Sequence, residues 1–458
     1  MVTIAKFTRR RRYHKHGQNG GIPIFAGAQG CVFKPSLKCR HVIRTHGDGD
    51  GNISKLETKE TAEAEMREYD QIKQYLKQIP NYPNYFNVQS ELCEPDVLEP
   101  PDLVKFDDVC TNLQRSNITA ANVNANLRKL RIINMPDLGI DLKMWMEQTV
   151  FNAAHMRELN DCISKLLTRA VVPMNRLGVI HNDLKSENVM IDRNDCSRII
   201  DWGLAGVTTP TQVIPVHNFM NNPVTFNRPF STMIISPNVC NLYSSQFLMT
   251  ITPSNWDAEF TVERIKHFTR AMYKKYIDAF NINGYKYLHH IYKRMFGSDD
   301  ATTTEFLMDA VATYNAEILY HFTDRARRTF RLDEYFSKVY RYNTDVWGLM
   351  SVFYSLFMMP RNEFIMSDAA HTTMMHRYRT LFRTVVFANG HACMNVPHIV
   401  HQLRQISDAW SNAPRHAKTG RVRFMNLIRA PKSKSIKRVA TPHPGGNAFY
   451  DHLIPLKK

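Results

Sequence analysis

The stretch "GVIHNDLKSENVMIDRNDCSRIIDWGLAG", Gly178 to Gly206, decides how the chain is read. Two polar turns interrupt its apolar runs. The first carries His181, Asp183, Lys185 and Asn188 at close spacing. The second begins at Asp201, which follows "RII" and precedes "WG". That context predicts a carboxylate just past a short buried strand, with Gly203 permitting a sharp turn.

These residue types suit the handling of phosphate. Phosphoryl transfer needs little covalent help, but it needs a positioned nucleophile and neutralised charge. The Asp183 carboxylate is suited to accept a hydrogen bond from an attacking hydroxyl, and Lys185 to reach the transferring phosphate. Asn188 offers an amide oxygen, which hard Mg²⁺ accepts, and Asp201 a carboxylate able to bridge metal and phosphates.

HxDLKxxN followed by DxG resembles the catalytic and metal-binding loops of protein kinases. Upstream, "FAGAQGCVF" resembles their phosphate-covering loop read as GxxGxV, with Gly27, Gly30 and Val32 in place and Phe25 where the first glycine would stand. The resemblance implies that Val32 packs on adenine. It also implies a strand lysine, Lys55 in "NISKL", paired with a glutamate of the next helix. Glu65 and Glu68 both qualify, and Glu68 is preferred because the helix continues from it with apolar residues. Lys34 and Lys38 follow the glycine loop too closely to serve.

"RIINMPDLGIDL" resembles the hinge that contacts adenine, with Met135 a nucleotide contact and Pro136 lacking an N–H to offer. "YNTDVWGLMSVFYSLF" resembles the helix that buries an aspartate beneath the catalytic loop, here Asp345; a helix N-cap is the plainer role for that residue. Asn182 replaces the arginine usual before the catalytic Asp, so control by a phosphorylated residue docking there is not expected.

With "GCVFKPSLKC" and "FNRPFSTMII", the whole is similar to the divergent serine/threonine kinases of nucleocytoplasmic large DNA viruses. The resemblance implies an α+β, bilobal protein-kinase-like fold with a small β-rich N-lobe holding one main helix and a larger, mostly helical C-lobe with insertions. It further implies ATP with Mg²⁺, or Mn²⁺ as an alternative ion, transfer to protein Ser/Thr hydroxyls, and action in host cytoplasm or a virion on acidic or virion proteins.

Working outward, "KLETKETAEAEMREYDQIKQYLKQI" places Tyr69, Ile72, Leu76 and Ile79 on one helical face and should stop near Pro80. "LRKLRIINMP" reads as a strand ending at Pro136. The expected organisation is a basic tail over 1–21, an ATP-binding N-lobe over 22–136, a catalytic C-lobe over 137–412 with a long insertion at 207–340, and a basic extension over 413–458. The apolar run Val346 to Pro360 is too short to span a membrane and predicts a buried helix.

The 458 residues carry 59 Lys and Arg against 42 Asp and Glu, a net charge of +17, partly in "RRRRYHKH" and "APKSKSIKR" near the ends. Basic tails allow nucleic acid contact. The eight cysteines show no CxxC pair and no secretory signal precedes them, which predicts free thiols in a reducing compartment and a protein that is not secreted. His398 and His401 lack the companions of a zinc site. Two other classes fit less of the pattern. A small-molecule phosphotransferase of the aminoglycoside or choline kinase type shares HxDxxxxN and a later "DW", and a pseudokinase or basic scaffold would use the fold only to bind partners.

Overall fold

The computed structural model describes residues 21–26, 30–40, 52–191, 197–215, 225–280, 283–297 and 299–411. Gly27, almost all of the 1–21 tail and the 413–458 extension lie outside them. The chain forms a mixed α+β structure with two compact units. The first comprises residues 1–67 and 89–137, the second 68–88 and 138–458. Residues 68–88, inside the 22–136 range expected from sequence, go with the second unit because Tyr69, Ile72, Leu76, Ile79, Phe86 and Val88 are buried there.

The first unit is built on an antiparallel sheet of β1 (Ile22–Ala26), β2 (Cys31–Lys34), β3 (Asn52–Thr58), β4 (Glu91–Cys93) and β5 (Leu130–Pro136), in the order β1-β2-β3-β5-β4. Alternation sorts its side chains. Cys31, Phe33, Leu56, Leu130 and Ile132 join Phe106, Leu113 and Val123 in the core. The other face carries Val32, Lys55, Glu57, Arg131 and Ile133, where Lys55 lies opposite Val32 and Ile133 in register. Helix α1 (Lys59–Leu76) follows β3 without a loop, and its predicted apolar face is buried.

The cysteine expectation is corrected here. Cys31 is disulfide-bonded to Cys110 and Cys39 to Cys93, while Cys162, Cys240 and Cys393 are free. The bonded pairs are 79 and 54 residues apart, so no local spacing rule detects them; the sheet and the segments around β4 bring them together.

The second unit is mostly helical. Its small sheets include β6 (Ile140–Asp141), β8 (Val189–Ile191) and β9 (Ser197–Ile199) in the order β6-β8-β9, and β7 (Val179–Ile180) paired with β10 (Gly206–Val207). Asp141 caps α2 (Leu142–Gln148) through its Oδ1 and Asn152 caps α3 (Ala153–Leu166). A wide π turn at Leu167–Val171 precedes Pro173, which has no N–H to continue the ladder. Within the 207–340 segment run α4 (Val262–Phe280), α5 (Asn283–Phe296) and α6 (Asp300–His321).

The predicted apolar helix is α7 (Arg341–Met350), buried from Asn343 to Met350 and followed by the buried stretch Ser351–Phe353. Among the described residues, no helix is long and apolar enough to cross a membrane. Helix α8 (Asp368–Leu381) and α9 (Val396–Ser411) complete the unit. Tyr378 of α8 donates to Asn160 of α3 at 2.7 Å, and Asn160 donates to Ser407 of α9 at 3.0 Å.

Candidate active site

The predicted residues fall into two clusters, one in each unit. In the second unit, residues 181–188 link β7 to β8 over the floor made by α7. Asp345 is not an N-cap: it lies inside α7, fully buried, and accepts the backbone N–H of His181 at 2.9 Å and of Asn182 at 2.8 Å, and the Asn175 amide at 2.7 Å. Burial pushes the Asp345 carboxyl above its ordinary pKa, opposed only in part by the nearby His181 ring and by these hydrogen bonds. Gly348 lets the loop sit directly on the helix, because a Cβ there would come within 2.7 Å of the Leu184 carbonyl oxygen.

Asn182 adopts φ of 62°, a left-handed conformation that asparagine tolerates better than most residues. Both its peptide groups are held, the N–H by Asp345 and the carbonyl by Arg228 Nε at 2.8 Å. The turn delivers Asp183. Its Oδ2 receives Lys185 Nζ at 2.6 Å and Asn188 Nδ2 at 3.2 Å, and its Oδ1 receives Asn227 Nδ2 at 2.9 Å. Burial pushes this carboxyl up, but the Lys185 and Arg228 cations outweigh it and leave the pKa below the ordinary value. Asp183 is therefore an oriented carboxylate, ionised at neutral pH.

Asn188 spends its amide N–H groups on the Asp183 carbonyl, at 2.7 Å, and carboxylate, which turns its amide oxygen away from them. Its own carbonyl accepts Ile200 N–H at 3.0 Å, fixing the chain just before Asp201. Asp201 is exposed at φ of 64°. Trp202 anchors the turn: its ring packs against His181 and Phe86, and its Nε1 donates to the Asn87 carbonyl at 3.1 Å. His181 in turn bonds the Ile200 carbonyl at 2.8 Å. Among the described residues no three His, Cys, Asp or Glu side chains gather as a metal cage. One carboxylate and one amide oxygen instead fit Mg²⁺, which keeps waters and takes phosphate oxygens.

In the first unit Lys55 stands on β3 as expected, but its helix partner is Glu65. Lys55 Nζ lies 2.6 Å from Glu65 Oε2, and equally 2.6 Å from Oε1 of Glu57 on its own strand. The preference for Glu68 is thus corrected. Because α1 starts at the end of β3, its first two turns stay beside Lys55; Glu68 lies about 4.5 Å farther along the axis and is exposed. Burial lowers the Lys55 pKa, yet the two carboxylates more than offset this and leave it raised. The rival lysines are engaged elsewhere, Lys34 with Asp137 at 2.6 Å and Lys38 with Glu99 at 2.5 Å. Val32 and Met135 are half-buried on β2 and β5.

Three residues were missed from sequence. Asn227 and Arg228 lie in "FNRPF", some forty residues past the loop they complete, and only the polar pair set between aromatics and proline hints at them. Glu57 was legible, since residues two apart on a strand share a face.

The family model of the phosphotransferase enzyme family (APH) matches residues 129–212, which run from β5 through Asp183 and Asp201 to just past β10. This match supports a kinase-like phosphotransferase. No curated protein matches the chain.

Proposed function

We propose that the protein is an ATP- and Mg²⁺-dependent serine/threonine protein kinase of bilobal fold, the first unit serving as N-lobe and the second as C-lobe. The observation that carries this reading is the Asp183–Lys185 contact at 2.6 Å, set on a loop that Asp345 holds from below. A lysine two residues after the catalytic carboxylate is the protein-kinase arrangement in the resemblance described above, and it also points to Ser or Thr as acceptor. The same resemblance suggests action in host cytoplasm or a virion, on protein substrates that include acidic ones, and the basic tails suit contact with nucleic acid.

In this reading Asp183 orients the acceptor hydroxyl and takes its proton on a carboxylate oxygen. Held ionised by Lys185 and Arg228, it is a weak base, which suits a loose transition state in which the proton leaves late. Lys185 offsets charge on the transferring group. Lys55, oriented by Glu65, does the same for the other phosphates. Asn188 and Asp201 would hold Mg²⁺, which supplies charge neutralisation when bound.

A small-molecule phosphotransferase is the second reading, and the family match over residues 129–212 favours it. The test is transfer of labelled phosphate from ATP with Mg²⁺ to the protein itself, casein, histone and myelin basic protein, and in parallel to aminoglycosides and choline. Label on phosphoserine or phosphothreonine that disappears in Asp201→Asn supports the protein kinase. Label found only on a small acceptor overturns it in favour of the second reading. A folded protein that binds no ATP would favour a scaffold.

A further inference from the structure

Lys55 is held by two carboxylates where orientation of a phosphate-binding lysine needs one. Glu65 reaches it from α1. Glu57 reaches it from β3 itself, with a side chain that has no exposed surface. Gly30 closes over Glu57, since a Cβ at that position would collide with Glu57 Cγ and come within 2.8 Å of the Leu56 carbonyl oxygen. The carboxylate thus lies against Gly30, a residue of the stretch expected to cover phosphates.

Neither Glu57 oxygen receives a well-aligned hydrogen bond, so its contact with Lys55 is chiefly coulombic and is shared with Glu65. Directly across on β5 stands Arg131, but that guanidinium is engaged by Glu63 at 3.7 Å and Glu94 at 3.4 Å and by the Leu130 carbonyl. Two carboxylates and one ammonium leave this cluster one negative charge in excess when Glu57 is ionised. A carboxylate in that position repels incoming phosphate and holds the cation that phosphate needs.

We propose that Glu57 is a positioning residue that competes with the nucleotide phosphates for the Lys55 ammonium, and thereby sets nucleotide affinity as a function of pH. This inference rests on the reading of Lys55 as a phosphate-binding residue. When phosphate takes the ammonium, Glu57 loses its counter-charge and acquires anionic neighbours. It then takes up a proton from solvent, with no other group changing state. Burial, opposed only in part by Lys55, already pushes the Glu57 carboxyl up to about 7. The competition is accordingly strong at pH 8, where Glu57 is ionised, and weak at pH 6, where it is largely protonated.

The test is calorimetric titration of the full chain with MgADP and a non-hydrolysable MgATP analogue at pH 6 and pH 8, in buffers of different ionisation enthalpy, for wild type, Glu57→Gln and Lys55→Ala. Glu57→Gln keeps the shape and polarity of the side chain. It should tighten binding roughly threefold to tenfold at pH 8, on the scale of one pK unit of differential interaction, and little at pH 6. Wild type should take up a proton on binding near pH 8, and Glu57→Gln should not. Because the nucleotide's own titration is common to both proteins, the difference between them isolates Glu57. Unchanged or weaker binding by a folded Glu57→Gln, with Lys55→Ala weakened, overturns the proposal and leaves the role of Lys55 standing. Unchanged binding by Lys55→Ala overturns both.

Discussion

Asp183 is a half-buried carboxylate and Glu57 a fully buried one, each within 2.6 Å of a lysine ammonium, one in each unit, and they are driven in opposite directions. Asp183 falls below its ordinary pKa, whereas Glu57 rises to about 7. Burial penalises both. Around Asp183 two cations, Lys185 and Arg228, serve one carboxylate, and the Asn188 and Asn227 amides add hydrogen bonds. Around Glu57 a single ammonium serves two carboxylates. The ratio of cations to anions, more than the nearness of one lysine, decides which group stays charged and which is poised to titrate.

The sharpest way to break this comparison is to remove the charge it says is always present. Asp183→Asn should lower kcat by about 10²- to 10⁴-fold with nucleotide affinity retained; a steady-state assay showing near wild-type turnover would remove Asp183 from its role. Next in size, Asp345→Ala should leave the His181, Asn182 and Asn175 donors without their acceptor. At about 1–3 kcal/mol for a buried unpaired group, denaturant titration should register a loss of at least that order. The two glutamates of α1 should separate cleanly. Glu65→Gln should cost about tenfold in kcat/KM, comparable to 1.4 kcal/mol, while Glu68→Gln should be near neutral, and equal effects would refute the assigned pairing.

The smallest effect concerns pH. Asp183 has a depressed pKa, so activity that needs its ionised form is lost only as pH falls through that low value. Removing the Arg228 cation raises the pKa, and the acid limb of the kcat/KM profile should move upward by roughly half a unit to one unit in Arg228→Met. A limb that stays in place would mean that Lys185 alone sets the ionisation.

Much of this site was legible because its logic is local. The kinase resemblance placed Lys55 on a strand after the glycine loop, and the helical period marked the apolar face of α1. The spacing from His181 to Asn188 marked a polar loop, and the apolar run around Asp345 marked a buried helix. What escaped depends on distance in the chain or on fine placement. Glu65 and Glu68 share nearly one helix face, so the choice between them turns on where α1 begins relative to β3. Cys31–Cys110 and Cys39–Cys93 close long loops that no spacing rule covers. Asn227 and Arg228 reach Asp183 and Asn182 across more than forty residues. Glu57 needed no tertiary knowledge, only the period of two.

The Asp345 clamp also has a meaning in time. Surface loops ordinarily exchange their amide protons within local fluctuations, whereas core helices wait for larger openings. The amides of His181 and Asn182 are bonded to the fully buried Asp345 carboxylate of α7, and Gly348 leaves no gap beneath Leu184. Their deuterium uptake should therefore follow the slow clock of α7. A segment drawn as a loop would then open no more often than the helix on which it rests.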